Sequence, residues 1–276
     1  MSMKADSGKS YHLKCTGDAL LTAEAHAGQS DITLFGSCFC PFVQRVWAAL
    51  EYLGHDYQYY EVDPYKKPPE LLEVSPKGLV PGLRFNSTNP PRALNESTVI
   101  LAYLEDLSAT TTKRSLLPPI SDPYARALVY LQADHVSRSL VPAFYRYLQA
   151  QDTDKQIEGA KEFTASLEGL VKLFERAENE TQTSVGLWRG GSLSLADVMG
   201  GPWIFRATNV LVHYRGFVLP EGEKFKAYVQ RLVSDPAFKR TCSTEELYLE
   251  SYERYAYNRP NTSQVANAIN SGLALP

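Results

Sequence analysis

A short apolar run from Asp31 to Phe35 precedes an amphipathic stretch from Phe42 to Leu53, with the turn-like Ser37-Cys38-Phe39-Cys40-Pro41 between them. Those periods predict a strand, a tight turn and a helix. The β-rich run Tyr57-Gln58-Tyr59-Tyr60-Glu61-Val62 predicts a second strand, closed by a turn at Pro64. Pro68 to Val74 predicts a short helix or turn, and the breaker-rich Ser75-Pro76-Lys77-Gly78-Leu79-Val80-Pro81-Gly82 follows it. Leu83 to Phe85 and Arg92 to Leu94 predict two short strands around a turn at Asn86 to Pro90. Glu96 to Leu107 is helical by period. The order β-α-β-α-β-β-α within roughly 80 residues describes an α/β unit.

The second half has a different rhythm. Ser108 to Pro123 is polar, with paired prolines at 118 and 119, and reads as a linker. From Tyr124 onward the period is helical throughout, predicting helices over 124–150, 154–179, 195–211, 223–233 and 244–257. The expected division is an extension over 1–30, an α/β domain over 31–107, a linker over 108–122, and an all-helical domain with a polar tail over 123–276.

Composition narrows the classes. With 276 residues, 44 % hydrophobic and 21 % charged, the chain has ordinary globular composition. A net charge of −3 gives no nucleic-acid footprint. No apolar stretch is long enough to span a bilayer, and the N-terminus lacks the apolar core of a signal peptide, so a cytoplasmic location and no membrane partner are expected. The Asn-x-Ser/Thr matches at Asn86, Asn95, Asn179 and Asn261 then read as chance. Cys15, Cys38, Cys40 and Cys242 are too few and scattered for a disulfide framework. The histidines are isolated, without zinc spacing, so no metal is expected. The 17 tyrosines, many in the helical half, suit either helix packing or a pocket for hydroxylated aromatic ligands.

The chemistry concentrates at Cys40. The predicted turn places it at a helix N-cap with Pro41 at the first helical position, where a missing N–H costs nothing. Free N–H groups and the positive helix end there favour a thiolate and are expected to lower the thiol pKa. A dithiol motif needs a cysteine at position 43, which is Val43. A mixed disulfide on Cys40 therefore needs an external thiol to resolve it. Cys38 reads as a small packing residue.

This order of elements, with Cys40-Pro41-Phe42-Val43-Gln44-Arg45, Gly78-Leu79-Val80-Pro81 and Asn95-Glu96-Ser97 in sequence, resembles the cytosolic glutathione transferases. The cysteine at position 40 narrows the resemblance to their omega-like class, and the run Tyr252-Glu253-Arg254-Tyr255 is similar to fungal members of it. The resemblance implies a thioredoxin-like N-terminal domain and an all-helical C-terminal domain. It implies that Cys40 is the nucleophile and that Phe42 lines the glutathione site. Val80 and Pro81, where a cis bond exposes an edge to an extended peptide, meet the cysteinyl part of glutathione. Glu96 and Ser97 hold its γ-glutamyl end, although plain N-capping by Asn95 or Ser97 reads identically in sequence. Lys67, or its neighbour Lys66, reaches the glycine carboxylate. Trp203 and Arg206 face the acceptor pocket, with core packing and an ion pair as the alternative reading. Ser194 and Asp197 form a structural capping box.

The activity so implied is glutathione-dependent thiol transfer on glutathionylated compounds, with reduction of dehydroascorbate or glutathionyl ketones in the same class. Glutathione is the co-substrate, a small hydrophobic or aromatic compound the acceptor, and a homodimer the assembly. The competing reading is a binding protein for aromatic or polyphenolic compounds with vestigial turnover.

Overall fold

The structure, a computed structural model, describes residues 11–276. The N-terminal elements are α1 (Gly17–Ala25), β1 (Ile32–Gly36), α2 (Pro41–Leu53), β2 (Gln58–Glu61), α3 (Pro69–Val74), β3 (Gly82–Phe85), β4 (Arg92–Asn95) and α4 (Ser97–Thr110). The strands form one sheet in the order β2-β1-β3-β4, with β1 parallel to β2 and antiparallel to β3, and β3 antiparallel to β4. All of β1 is buried, as a central strand with both faces covered must be. On one face, α2 presses Val43, Val46, Trp47, Leu50 and Leu53 into the main core. On the other, Leu71 and Val74 of α3 close a smaller cluster over Phe35 and Val62. Gly54 ends α2 in the left-handed region at φ 75°, which only a residue without Cβ adopts at little cost. This is a thioredoxin-like domain.

A mostly helical domain follows, built from α5 (Pro123–His135), α6 (Val141–Gln149), α7 (Thr153–Glu180), α8 (Leu195–Arg206), α9 (Val212–Arg215), α10 (Glu223–Ser234), α11 (Pro236–Lys239), α12 (Glu245–Ala256) and α13 (Gln264–Asn270). The single helix expected over 124–150 is continuous but widens into a π-turn at Val136–Leu140, between α5 and α6. Pro142, lacking an N–H, sits just beyond that turn, where a normal helical bond is lost. Ala207–Leu211 forms a second π-turn after α8, which contains Pro202. Asp197 and Ser194 form the capping box at the start of α8, and buried Asp197 also accepts from the Leu187 N–H at 3.0 Å.

The region 1–30, expected to be an extension, contains α1, while residues 1–10 lie outside the described part. Only Ala19 and Thr22 of α1 are buried, so it carries almost no amphipathic signal. Its anchors are remote in sequence: the Ala19 N–H donates to the Cys242 carbonyl at 3.0 Å, and the Thr22 hydroxyl to the Arg240 carbonyl at 2.8 Å.

The strand-end carboxylate of Glu61 ties the segment before α1 to the sheet. It accepts from the Cys15 N–H at 3.3 Å and the Cys15 thiol at 3.2 Å. Burial pushes Glu61 up from 4.5 to about 7, against the pull of the Cys15 thiol and N–H, the Cys38 N–H and Tyr59. The folded protein thus holds a proton that the unfolded chain has released between those values, and stability falls as pH rises through that window. The loss is on the order of 3 kcal/mol at most. Glu61→Gln is expected to melt above wild type at pH values beyond 7, with the two curves converging below 4.5. A melting series showing no gap at alkaline pH contradicts this reading of Glu61.

Candidate active site

Cys40 is the N-cap of α2, with φ −75° and ψ 120°, and Pro41 opens the helix. The Cys40 N–H closes the preceding turn on the Ser37 carbonyl at 2.9 Å, and the Cys40 carbonyl accepts the first helical bond from Gln44 at 3.1 Å. Its side chain caps nothing, so the half-buried sulfur is left for chemistry. The thiol makes a long hydrogen bond to the Val80 carbonyl at 3.9 Å. Burial pushes the Cys40 thiol above its ordinary value. The N–H groups of Val43 and Phe42, and then the charges of Arg206 and Arg45, pull it down without winning. The sequence expectation of a lowered pKa therefore has the right forces and the wrong sum: desolvation exceeds the helix-end stabilisation.

The sulfur opens into a cavity of about 530 Å³ between the two domains. Cys40, Phe42, Lys67, Val80, Pro81, Glu96 and Ser97 all line it, so positions spread over three separate motifs converge on one space. The Val80–Pro81 peptide bond is cis. Glu96 precedes α4 at φ 68° and ψ 114°, a conformation that costs a non-glycine residue energy and marks functional sites more often than plain caps. No side chain caps α4, which removes the N-capping reading of Asn95 and Ser97. Ser97 Oγ instead accepts from Arg45 Nη1 at 3.4 Å. Of the two adjacent lysines it is Lys67 that lines the cavity, with Nζ donating to the Lys77 carbonyl at 3.2 Å. Gly78 is required beside it: φ is 62°, and a Cβ there would sit 2.5 Å from Lys67 Cδ. The wall thus presents cations at Lys67 and Arg45 and an anion at Glu96, a charge pattern that matches a ligand carrying carboxylates and an ammonium group.

Trp203 and Arg206 are placed elsewhere. Both are fully buried behind the cavity and neither lines it. Trp203 meets Phe42 edge to face at 4.9 Å, and Arg206 donates to the Phe39 carbonyl at 3.0 Å and to Gln44 Oε1 at 2.6 Å. Their place in α8 is on the face against α2, where Arg206 satisfies polar groups and Trp203 packs on the Phe42 ring. Tyr145, Tyr252 and Tyr255 line the cavity instead. The spacing Tyr252-x-x-Tyr255 on α12 puts those two on one helix face, a signal present in the sequence. Cys38 is buried with its thiol donating to the His12 carbonyl at 3.3 Å, and burial raises its pKa. Among the described residues, no cluster of His, Cys, Asp and Glu suits a metal ion, and no helix is long and apolar enough to cross a membrane.

The family profile described as glutathione S-transferase, N-terminal domain, matches residues 34–112. Glutathione transferase Omega 3C from Trametes versicolor superposes with a TM-score of 0.74 at 36 % identity, over 88 % of this chain and 98 % of that one. Glutathione S-transferase omega-1 of Sus scrofa is 26 % identical over 88 % of this chain and 90 % of its own length. A rice glutathione transferase solved in complex with glutathione shares the fold at a TM-score of 0.61 and 23 % identity, over 81 % of this chain and 96 % of that one.

The raised Cys40 thiol carries a direct expectation. Its alkylation by iodoacetamide, followed by peptide mass mapping, keeps accelerating as pH passes 9.0. A plateau already reached by about pH 7, as for a helix-activated thiolate, contradicts the dominance of burial.

Proposed function

Because this chain belongs to the omega-like glutathione transferases, we propose that it catalyses glutathione-dependent thiol transfer with Cys40 as the nucleophile. One observation carries the reading: the sulfur at the α2 N-cap opens into the cavity that Val80, Glu96, Ser97 and Lys67 share. Glutathione lies extended along that wall. Its cysteinyl backbone pairs with Val80 beside Pro81, its γ-glutamyl carboxylate and ammonium meet Ser97 and Glu96, and its glycine carboxylate meets Lys67. Phe42 packs against it.

The Cys40 thiolate attacks the glutathionyl sulfur of a mixed disulfide. The Cys40–glutathione disulfide forms as the old sulfur–sulfur bond breaks, and the acceptor leaves as a thiolate that takes up a proton. A second glutathione, as thiolate, attacks that disulfide, leaves as oxidised glutathione and frees Cys40. On a glutathionyl ketone the same attack breaks a carbon–sulfur bond, and the enolate left behind is protonated. No neighbouring cysteine is needed to resolve the intermediate, in keeping with Val43 at the place of a second thiol. Dehydroascorbate is a further oxidant of the same class. The raised thiol makes turnover rise with pH, and a reducing, cytosolic compartment keeps such a sulfur free.

The wall of Tyr145, Tyr252 and Tyr255 supports a second reading, storage of aromatic compounds in the same cavity. Steady-state reduction of a small glutathione mixed disulfide separates the two. Cys40→Ser is expected to lower kcat at least about 100-fold, and comparable rates would transfer the weight to binding. Ser97→Ala and Lys67→Ala are expected to raise KM for glutathione about tenfold with kcat nearly unchanged, as loss of uniform binding does. An unchanged KM in both rejects the proposed orientation of the peptide.

A further inference from the structure

Two arginines with almost no exposure flank Cys40. Arg45, 2 % exposed, lies one turn along α2; Arg206, 1 % exposed, reaches the turn from α8. Neither has a carboxylate within ion-pair distance among the described residues. Arg45 Nε donates to the Met199 carbonyl at 2.9 Å, and its guanidinium stands 4.4 Å from the centre of the Trp203 ring and 5.2 Å from that of Phe42. Arg206 donates to the carbonyls of Phe39 and Pro202 and to Gln44, and lies 4.5 Å from the Tyr248 ring. Carbonyl oxygens and ring faces supply partial negative charge, yet Arg45 Nη2 and Arg206 Nε remain without partners. The titratable groups facing Arg45 are Tyr145 and Cys40; those facing Arg206 are Tyr252, Tyr248, Tyr145, Cys242 and Cys40. Every one of these is neutral in its ordinary state at neutral pH. Burial pushes Arg45 down to about 9, which still leaves it charged there.

Burying a charge without an opposite charge is costly, and an arrangement of two such cations around one ionisable sulfur is electrostatically incomplete. We infer that Arg45 and Arg206 are positioning residues for the reaction, a pair of buried counter-charges whose missing anion is the Cys40 thiolate. The inference rests on the proposed role of Cys40 and adds what offsets the burial of that sulfur. Arg206 supplies its charge from behind the cavity rather than in it, while Arg45 also borders the cavity, where its Nη1 donates to Ser97 Oγ at 3.4 Å. Its bonds on both sides of Cys40, at Phe39 and at Gln44, also hold the turn against the field.

The test compares alkylation of Cys40 by neutral iodoacetamide and anionic iodoacetate in wild type, Arg206→Gln, Arg206→Lys, Arg45→Gln and Arg45→Lys. Loss of either charge is expected to slow iodoacetamide about tenfold at about pH 8 and to lower the iodoacetate-to-iodoacetamide ratio further. The lysine variants are expected to keep the wild-type ratio. A ratio unmoved in both glutamine variants overturns the inference, because a purely structural role alters access for both reagents alike. Should the glutamine variants not fold, the iodoacetate-to-iodoacetamide rate ratio of wild-type Cys40 is compared with that of free glutathione; a ratio above that of the small thiol is expected, and an equal or lower ratio overturns the inference. Failure of the Cys40 reading itself is distinguishable, since it leaves Cys40→Ser fully active.

Discussion

Arg206 donates to the carbonyl of Phe39, one residue before Cys40, and to the side chain of Gln44, one helical turn after it. Gln44 in turn donates to the Thr241 carbonyl and hydroxyl, each at 3.3 Å, and Arg45 ties α2 to the Met199 carbonyl of α8 at 2.9 Å. This buried polar joint fixes the helix that carries the sulfur to the domain that forms the opposite wall. The cavity exists because the joint does. Its members are polar groups removed from water, and the partners they reach set the geometry more narrowly than apolar packing alone.

The same burial explains the electrostatic compromise at the site. A helix N-terminus and two guanidinium groups favour a thiolate, while loss of water disfavours it by more. The sulfur is therefore protected as a thiol and becomes reactive when it loses a proton within a positive surrounding. Lys67 and Glu96 line the cavity and can serve a charged peptide directly.

Much of the site was legible in the sequence because its residues sit at backbone landmarks. Cys40 before Pro41, the Val80–Pro81 step and Glu96 ahead of a helical period each mark a turn or a helix start, and each lines the cavity. The alternation of β and α periods marked out the N-terminal domain, and the capping box at Ser194 marked α8. What stayed hidden depends on distant partners. Helix α1 is fixed by contacts to Arg240 and Cys242, and α13 buries only Ala266, so neither has a local period. For Arg206 and Trp203 the resemblance pointed to a pocket and the residue types equally to core packing; which helix face meets α2 is a matter of tertiary packing. The sign of the Cys40 shift was hidden for a related reason, since a helix N-terminus is visible in a sequence and the depth of burial is not.

The central claim is that Cys40 itself carries glutathione between donor and acceptor. Mixing the protein with an excess of a small glutathione mixed disulfide, in the absence of free glutathione, and quenching for intact mass and peptide mapping tests it most directly. The account predicts a single glutathionyl adduct on Cys40, one equivalent of released acceptor thiol per chain, and then arrest until glutathione is added. Continued turnover without glutathione, or an unmodified Cys40 after acceptor release, would contradict it.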